Sequence, residues 1–398
     1  VAAMTYDEAS ATWLVRTEHG DEIRTRFCVM ATGGLSAPNT PTWPGLESFA
    51  GTVVQTSRWP EEGVDLDGKR IGIVGTGSSG VQAIPELAKV AEHLTVFQRT
   101  PTFTWPSRNR GLTDEEQAAV KARYPELREE QRNSFTATAG TTGAFIIAFP
   151  TDERRILDST PEEREAALAE FGFDASRMWT DTARDLAANE MAVELYREMI
   201  RRTVHDPVTA EKLGPRYPQG CKRPCIDDGY FETYNRPNVS LVALPDEPIV
   251  EFTPDGVRTS DQFIPLDVLI LATGFDALTG ALTRIDLRGR DGRLLADEWS
   301  GGPHAYLGIG IAGFPNLFHC VGPGSASVLA TYPPHIEIQV GWIVDTIADL
   351  LARGCTEIEA DPQAQADWHA EVDQLAEGTM YVADTCHSWY NGSNIAGK

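Results

Sequence analysis

A chain of 398 residues with 58 acidic and 34 basic side chains carries a net charge of −24. That balance repels nucleic acid and anionic membrane surfaces, and any anionic ligand must be held by local basic residues. The length allows two or three domains of about 100–200 residues. No apolar run approaches the ~18 residues that cross a bilayer, and the N-terminus lacks a basic stretch followed by an apolar core, so a soluble, unexported, cytoplasmic protein is expected.

The chain opens ahead of strand material at Thr12–Thr17 and Glu22–Ala31, with no glycine-rich phosphate loop before it. This reads as the opening of a fragment. Arg26 to Gly33 (RFCVMATG) form an apolar strand ending in small residues, an end that a dinucleotide can approach closely. The proline-rich stretch Asn39–Gly45 marks a connector, and the segment Phe49 to Pro60 (FAGTVVQTSRWP) leads into a strand at Arg70–Val74. Gly75, Gly77 and Gly80 then fit GxGxxG, with a helix expected from about Ser79 and a kink expected at Pro85. The next strand, Leu94–Gln98, ends at Arg99. Helical periodicity runs from about Thr113 to Leu213, with capping boxes at Thr113/Glu116 and Thr160/Glu163 and Pro161 at a first helical position. A basic cluster, Gly220-Cys221-Lys222-Arg223-Pro224, follows. Strands are expected at Val239–Leu244 and Leu266–Thr273, and a long amphipathic helix at Ile336–Arg353, ending before Gly354. The six cysteines include no CxxC pair and read as reduced thiols of a cytosolic protein. Cys221 and Cys225 lie closest together, but no second pair at ligand spacing accompanies them, so no metal site is expected.

The glycine turn is informative because of its context. A strand before it and a helix after it aim backbone N–H groups and the positive end of a helix dipole at a pyrophosphate. An NAD-specific protein would place an acidic residue on the ribose hydroxyls at the end of the second strand. Arg99 stands there instead, which points to a 2′-phosphate and so to NADPH.

Phe49, Gly51, Trp59 and Pro60 match the pattern FxGxxxHxxxWP, with Gln55 in place of the histidine. The segment resembles the fingerprint of the Baeyer–Villiger monooxygenases, class B flavin-containing monooxygenases. The Lys222-Arg223-Pro224 segment, ATGGLS at Ala31–Ser36, FQRTP at Phe97–Pro101, LATGFDALTGAL at Leu271–Leu282, GFPNLF at Gly313–Phe318, GPGSAS at Gly322–Ser327 and SWYNGSN at Ser388–Asn394 extend the resemblance over nearly the whole chain. It implies an α/β fold of two Rossmann-like dinucleotide-binding domains, each discontinuous, with a helical insertion. Residues 1–40 and 267–398 would form the FAD domain, residues 41–107 and 216–266 the NADP domain, and residues 108–215 the insertion. It also implies FAD and NADPH as cofactors, and a ketone and O2 as partners, in Baeyer–Villiger oxidation through a C4a-peroxyflavin. Arg223, Gln55 and Trp59 become the catalytic candidates. Arg223 would lie beside flavin and nicotinamide, a permanent cation that stabilises an anionic peroxide without supplying an acidic proton.

Cofactor contacts would fall to Gly75, Thr76, Gly77, Ser78, Ser79, Gly80, Gln82, Arg99, Thr100 and Lys222, to Ala31, Thr32, Gly33, Thr273 and Gly274, and to Trp389 on a closing loop. Ser327, Val328, Leu329 and Tyr332 would line the substrate pocket. A monomer is the expected state. The family's first GxGxxG turn has no counterpart here, so the chain as given is expected to hold FAD weakly and to leave apolar surface uncovered around Phe27–Ala31. An N- or S-oxygenating flavin monooxygenase and a noncatalytic nucleotide-binding remnant remain as alternatives. The former shares FxGxxxH but lacks the Trp-Pro ending and the Lys-Arg-Pro segment.

Overall fold

The structure is a computed structural model that describes residues 1–134, 154–325, 332–383, 385–388 and 392. Its strands are β1 (Ala3–Asp7), β2 (Thr12–Arg16), β3 (Glu22–Thr25), β4 (Cys28–Met30), β5 (Thr52–Gln55), β6 (Arg70–Val74), β7 (His93–Gln98), β8 (Thr104–Pro106), β9 (Cys225–Asp227), β10 (Val239–Ala243), β11 (Ile249–Thr253), β12 (Gly256–Thr259), β13 (Phe263–Pro265), β14 (Val268–Leu271), β15 (Asp286–Arg288) and β16 (Leu317–His319). The helices are α1 (Ser78–Val90), α2 (Asp114–Ala122), α3 (Tyr124–Asn133), α4 (Pro161–Phe171), α5 (Leu186–Thr203), α6 (Pro207–Leu213), α7 (Tyr230–Thr233), α8 (Gly280–Thr283), α9 (Leu295–Glu298), α10 (Tyr332–Ala352) and α11 (Pro362–Ala376).

Five parallel strands in the order β10-β7-β6-β14-β5 build the principal sheet. Its strands read as unbroken apolar runs because both faces are covered. On one face Ile71, Ile73, Leu94, Val96, Val268 and Ile270 pack with Val81, Ile84 and Leu87 of α1. On the other, Val74, Phe97, Leu269 and Leu271 pack with Phe49, Phe252 and Val257. Chain order runs outward from β6 through β7 to β10, whereas β14 enters on the opposite side of β6. The order therefore reverses between β6 and β14, which opens a crevice at the carboxyl ends of those strands.

A separate core joins the sheet β15-β1-β2-β3 to the parallel pair β4–β16 through Met4, Tyr6, Trp13, Cys28, Met30, Leu287, Trp299 and Leu317. Val29 in the middle of β4 is 45% exposed, while Cys28 and Met30 on either side of it are buried. Both expected capping boxes close, with Thr113 on Glu116 and Thr160 on Glu163. Pro85 does not interrupt α1. The long C-terminal helix begins four residues earlier than expected, at Tyr332, and leaves Ile338, Trp342 and Val344 exposed.

One expectation is overturned. Cys221 and Cys386 are joined in a disulfide, with Cα atoms 5.9 Å apart and both side chains fully buried. They are 165 residues apart in sequence, so spacing gave no hint of the pair. Cys28, Cys225, Cys320 and Cys355 are free.

Candidate functional site

The three glycines of the turn after β6 do different work. Gly75 has φ 111°, and a Cβ there would sit 2.3 Å from the Ala272 carbonyl oxygen. At Gly80 a Cβ would meet the Gly75 carbonyl at 2.1 Å, so this glycine lets α1 close down on the turn. Gly77 is the N-cap of α1, carries no side-chain cap, and has nothing within 4 Å of where a Cβ would be. The start of α1 thus has no side-chain cap and open space beside Gly77, the arrangement that suits a pyrophosphate. Neighbouring candidates hold the frame: Thr76 Oγ1 donates to the Thr100 carbonyl (2.9 Å), Gln82 Nε2 donates to the Ile226 carbonyl (3.3 Å), and Ser78 Oγ pairs with Cys225 Sγ (3.4 Å). Ser79 is exposed on the first turn of α1.

Two basic segments meet beside this turn. Arg99 is exposed at the end of β7. The loop of Lys222 and Arg223 is drawn toward it because β9 pairs in parallel with β8, and the Cys225 N–H donates to the Phe103 carbonyl (2.9 Å). Lys222 is half-buried, its Nζ 4.6 Å from the Tyr217 ring centroid. Burial, and then the charge of Arg99, push its ammonium below the usual lysine range. Among the described residues, Arg99, Lys222 and Arg223 have no carboxylate partner. Arg223 is exposed, and its charge opposes the upward push of burial on the Tyr332 phenol, so these two candidates are neighbours.

The loop is anchored from behind. The buried Asn189 of α5 donates to the Gln219 carbonyl (2.9 Å) and accepts from the Gln219 N–H (2.9 Å), and Cys221 is held by Cys386. Tyr196 of α5 accepts from the Thr104 N–H and donates to the Thr104 carbonyl, which fixes β8. The helical segment thus sets where the basic loop stands.

Within the fingerprint, Phe49 is buried edge-on to Phe252, and a Cβ at Gly51 would lie 2.4 Å from the Asp267 carbonyl. Both are packing positions. Trp59 is 39% exposed. Gln55 ends β5 and donates through Nε2 to the Asn39 carbonyl (3.1 Å), the same oxygen that accepts from Thr273 Oγ1 (2.6 Å). The Asn39 N–H in turn donates to the Gly274 carbonyl (2.9 Å), and the Asp276 N–H to the Ala37 carbonyl (2.8 Å). The two connectors between the principal sheet and the second core therefore run side by side, with Gln55 clipped onto them. Ala31, Thr32 and Gly33 are exposed after β4, and Gly33 and Gly274 both have φ 74° with open space around a would-be Cβ. Ser327, Val328, Leu329 and Trp389 lie outside the described residues. Sequence reading missed Asn39, Asn189 and Tyr217. The proline-rich connector pointed to the first only in outline, and nothing in the local sequence pointed to the others.

The profile of the pyridine nucleotide-disulphide oxidoreductase family matches residues 2–133. The chain is 37% identical to cyclohexanone 1,2-monooxygenase of Acinetobacter sp over 100% of its own length and 72% of that protein. The chain belongs to the Baeyer–Villiger monooxygenase family. Cyclohexanone monooxygenase from Rhodococcus sp. Phi1 bound to NADP+ superposes with a TM-score of 0.90 at 40% identity, covering 100% of this chain and 73% of that one. The OTEMO complex with FAD and NADP gives 0.87 at 37% identity, covering 96% and 72%. Phenazine N-monooxygenase PhzNO1 of Lysobacter antibioticus is also similar, 37% identical over 100% of this chain and 72% of its own. The Rossmann-type α/β fold and the FAD and NADP cofactors expected from sequence are those of this family.

Proposed function

We propose that the Baeyer–Villiger monooxygenase described here oxidises a ketone to an ester or lactone, inserting one atom of O2 and releasing the other as water at the expense of NADPH. The observation that carries this reading is the meeting of an open glycine turn, Arg99 and the Lys222–Arg223 loop at the strand-order reversal of the parallel sheet. In a chain of charge −24 a cationic cluster with no carboxylate partner among the described residues is a local exception, suited to an anionic dinucleotide. The glycine turn would hold the pyrophosphate of NADPH, and Arg99 and Lys222 its 2′-phosphate.

The open glycines Gly33 and Gly274 fit close approach of a second dinucleotide, FAD, with Ala31, Thr32 and Thr273 beside it. When bound, FAD supplies hydride acceptance and oxygen activation. Arg223 would stabilise negative charge at the reacting centre, since a guanidinium has no readily lost proton. Tyr332, next to it, would border the ketone. Gln55 would hold the connectors between the two dinucleotide sites, and Trp59 would close that edge.

The division into residues 1–40 with 267–398, residues 41–107 with 216–266, and residues 108–215 belongs to the same reading. The cluster of the second core and that of α4 with α5 support it, whereas β14 in the principal sheet and Tyr196 and Ile200 of α5 packed against that sheet cross its boundaries. A monomer in the cytoplasm completes it. No described helix is long and apolar enough to cross a membrane, while the Cys221–Cys386 disulfide is the feature that sits least easily with a reducing compartment.

The test is incubation of the protein with FAD, NADPH, ¹⁸O₂ and a panel of cyclic and linear ketones. Ester or lactone carrying one labelled oxygen is expected. The likeness to a phenazine N-monooxygenase favours N-oxygenation as the second reading. N-oxide formation without any ester would install it, and absence of NADPH oxidation with every substrate would leave only nucleotide binding.

A further inference from the structure

Lys222 presents an electrostatic puzzle. Its ammonium is half-buried, feels the like charge of Arg99, and has no carboxylate partner among the described residues. Repulsion and desolvation both favour swinging it out to solvent. What it does have is the face of Tyr217, 4.6 Å from Nζ to the ring centroid, and a cation over an aromatic face is attracted by the ring quadrupole, more strongly where water is excluded. The ring itself is rigidly placed. Tyr217 is only 8% exposed, stands edge-on to Phe103 with centroids 5.3 Å apart, and its hydroxyl meets Thr102 and the Phe103 backbone. Those residues lie three and four positions after Arg99, so one short segment sets both the position of Arg99 and the platform under Lys222.

We propose that Tyr217 is a positioning residue for cofactor specificity, its ring face holding the Lys222 ammonium beside Arg99 so that the pair takes a doubly charged phosphate, the 2′-phosphate of NADP. The inference rests on the reading that Lys222 and Arg99 bind that phosphate. It assigns the discrimination between NADP and NAD partly to a residue that touches neither. Without the ring, Lys222 is free to leave, and the ordering it then requires on binding weakens NADP alone.

Isothermal titration of NADP+ and NAD+ into the whole chain tests this. Tyr217→Leu, which keeps apolar bulk but removes the ring, is expected to weaken NADP+ about tenfold and NAD+ less than twofold, while Tyr217→Phe keeps the parent ratio. In a Lys222→Met background, Tyr217→Leu is expected to have no further effect on NADP+. Equal losses for both nucleotides, an unchanged ratio in Tyr217→Leu, or a Phe variant as impaired as the Leu variant would overturn the role of Tyr217. If Lys222→Met itself left the NADP+/NAD+ ratio unchanged, the phosphate-site reading would fall too. A changed ratio in Lys222→Met with none in Tyr217→Leu would overturn only the positioning role. Should Tyr217→Leu fold poorly, the comparison of Tyr217→Phe with Tyr217→Met, read the same way, decides the matter.

Discussion

Arg223 stands exposed beside Tyr332 with no acidic neighbour to neutralise it among the described residues. Removing a preorganised charge partner of this kind typically costs ~10²–10³ in rate, about 3–4 kcal/mol. Arg223→Ala is therefore expected to abolish detectable ester formation while titration shows NADP+ binding within a few-fold of the parent. Gln55 makes a subtler case. Its amide donates to the Asn39 carbonyl, a service that either glutamine or a neutral histidine provides, so the departure from the fingerprint keeps a hydrogen bond and gives up a titratable group. A hydrogen bond of this sort contributes about 0.5–1.5 kcal/mol. Gln55→Leu should lower the ratio of ester formed to NADPH consumed several-fold, and Gln55→His should leave it within twofold. A large gain in that ratio from the histidine would mean that its protonation, rather than its donor, is what the fingerprint position needs.

At the level of elements, the glycine turn separates binding from folding. Gly77 has φ −80° and open space, so Gly77→Ala is expected to leave the melting temperature almost unchanged yet intrude where the pyrophosphate would lie, weakening NADP+ strongly. Gly80→Ala would place a Cβ 2.1 Å from the Gly75 carbonyl, so its main effect should be lost stability. Thermal melts beside titrations distinguish the two. Strand β16 carries a different liability. His319 is fully buried with no hydrogen-bond partner for Nε2 among the described residues, and burial lowers its pKa from 6.5 to about 4. The folded protein then binds fewer protons than the unfolded chain between those values. Stability is accordingly full above about pH 6.5 and is lost as pH falls toward 4, by up to about 3 kcal/mol. His319→Leu should flatten the dependence of the urea midpoint between pH 7 and pH 5. The capping boxes were legible in sequence because each lies within four consecutive residues, and the glycine turn because its strand, glycines and helix follow one another along the chain. The clasp of Asn189 on Gln219 was not, because it joins residues 30 positions apart through an ordinary helical asparagine.

For the whole molecule, the strand, glycine turn and helix in sequence, together with the resemblance to the Baeyer–Villiger family, were enough to expect a Rossmann-like parallel sheet with a dinucleotide at its glycine turn. The apolar runs of β6, β7 and β14 can be buried on both faces only in such a sheet. What sequence could not supply was how distant pieces close on one another: the paired connectors under Gln55, the Tyr217 platform, and above all the partner of Cys221. That bond makes residues 221–386 a closed covalent ring, with the basic loop at one end and the C-terminal segment at the other. In the chain-entropy picture, tying a ring of this size removes about 5 kcal/mol of freedom from the unfolded chain. Its most direct consequence would appear on a gel. A protease nick anywhere inside the ring should leave two fragments that migrate as one intact band until a thiol reductant parts them. A nick before Cys221 should release its fragment at once, and loss of the difference in Cys386→Ser would trace it to this bond.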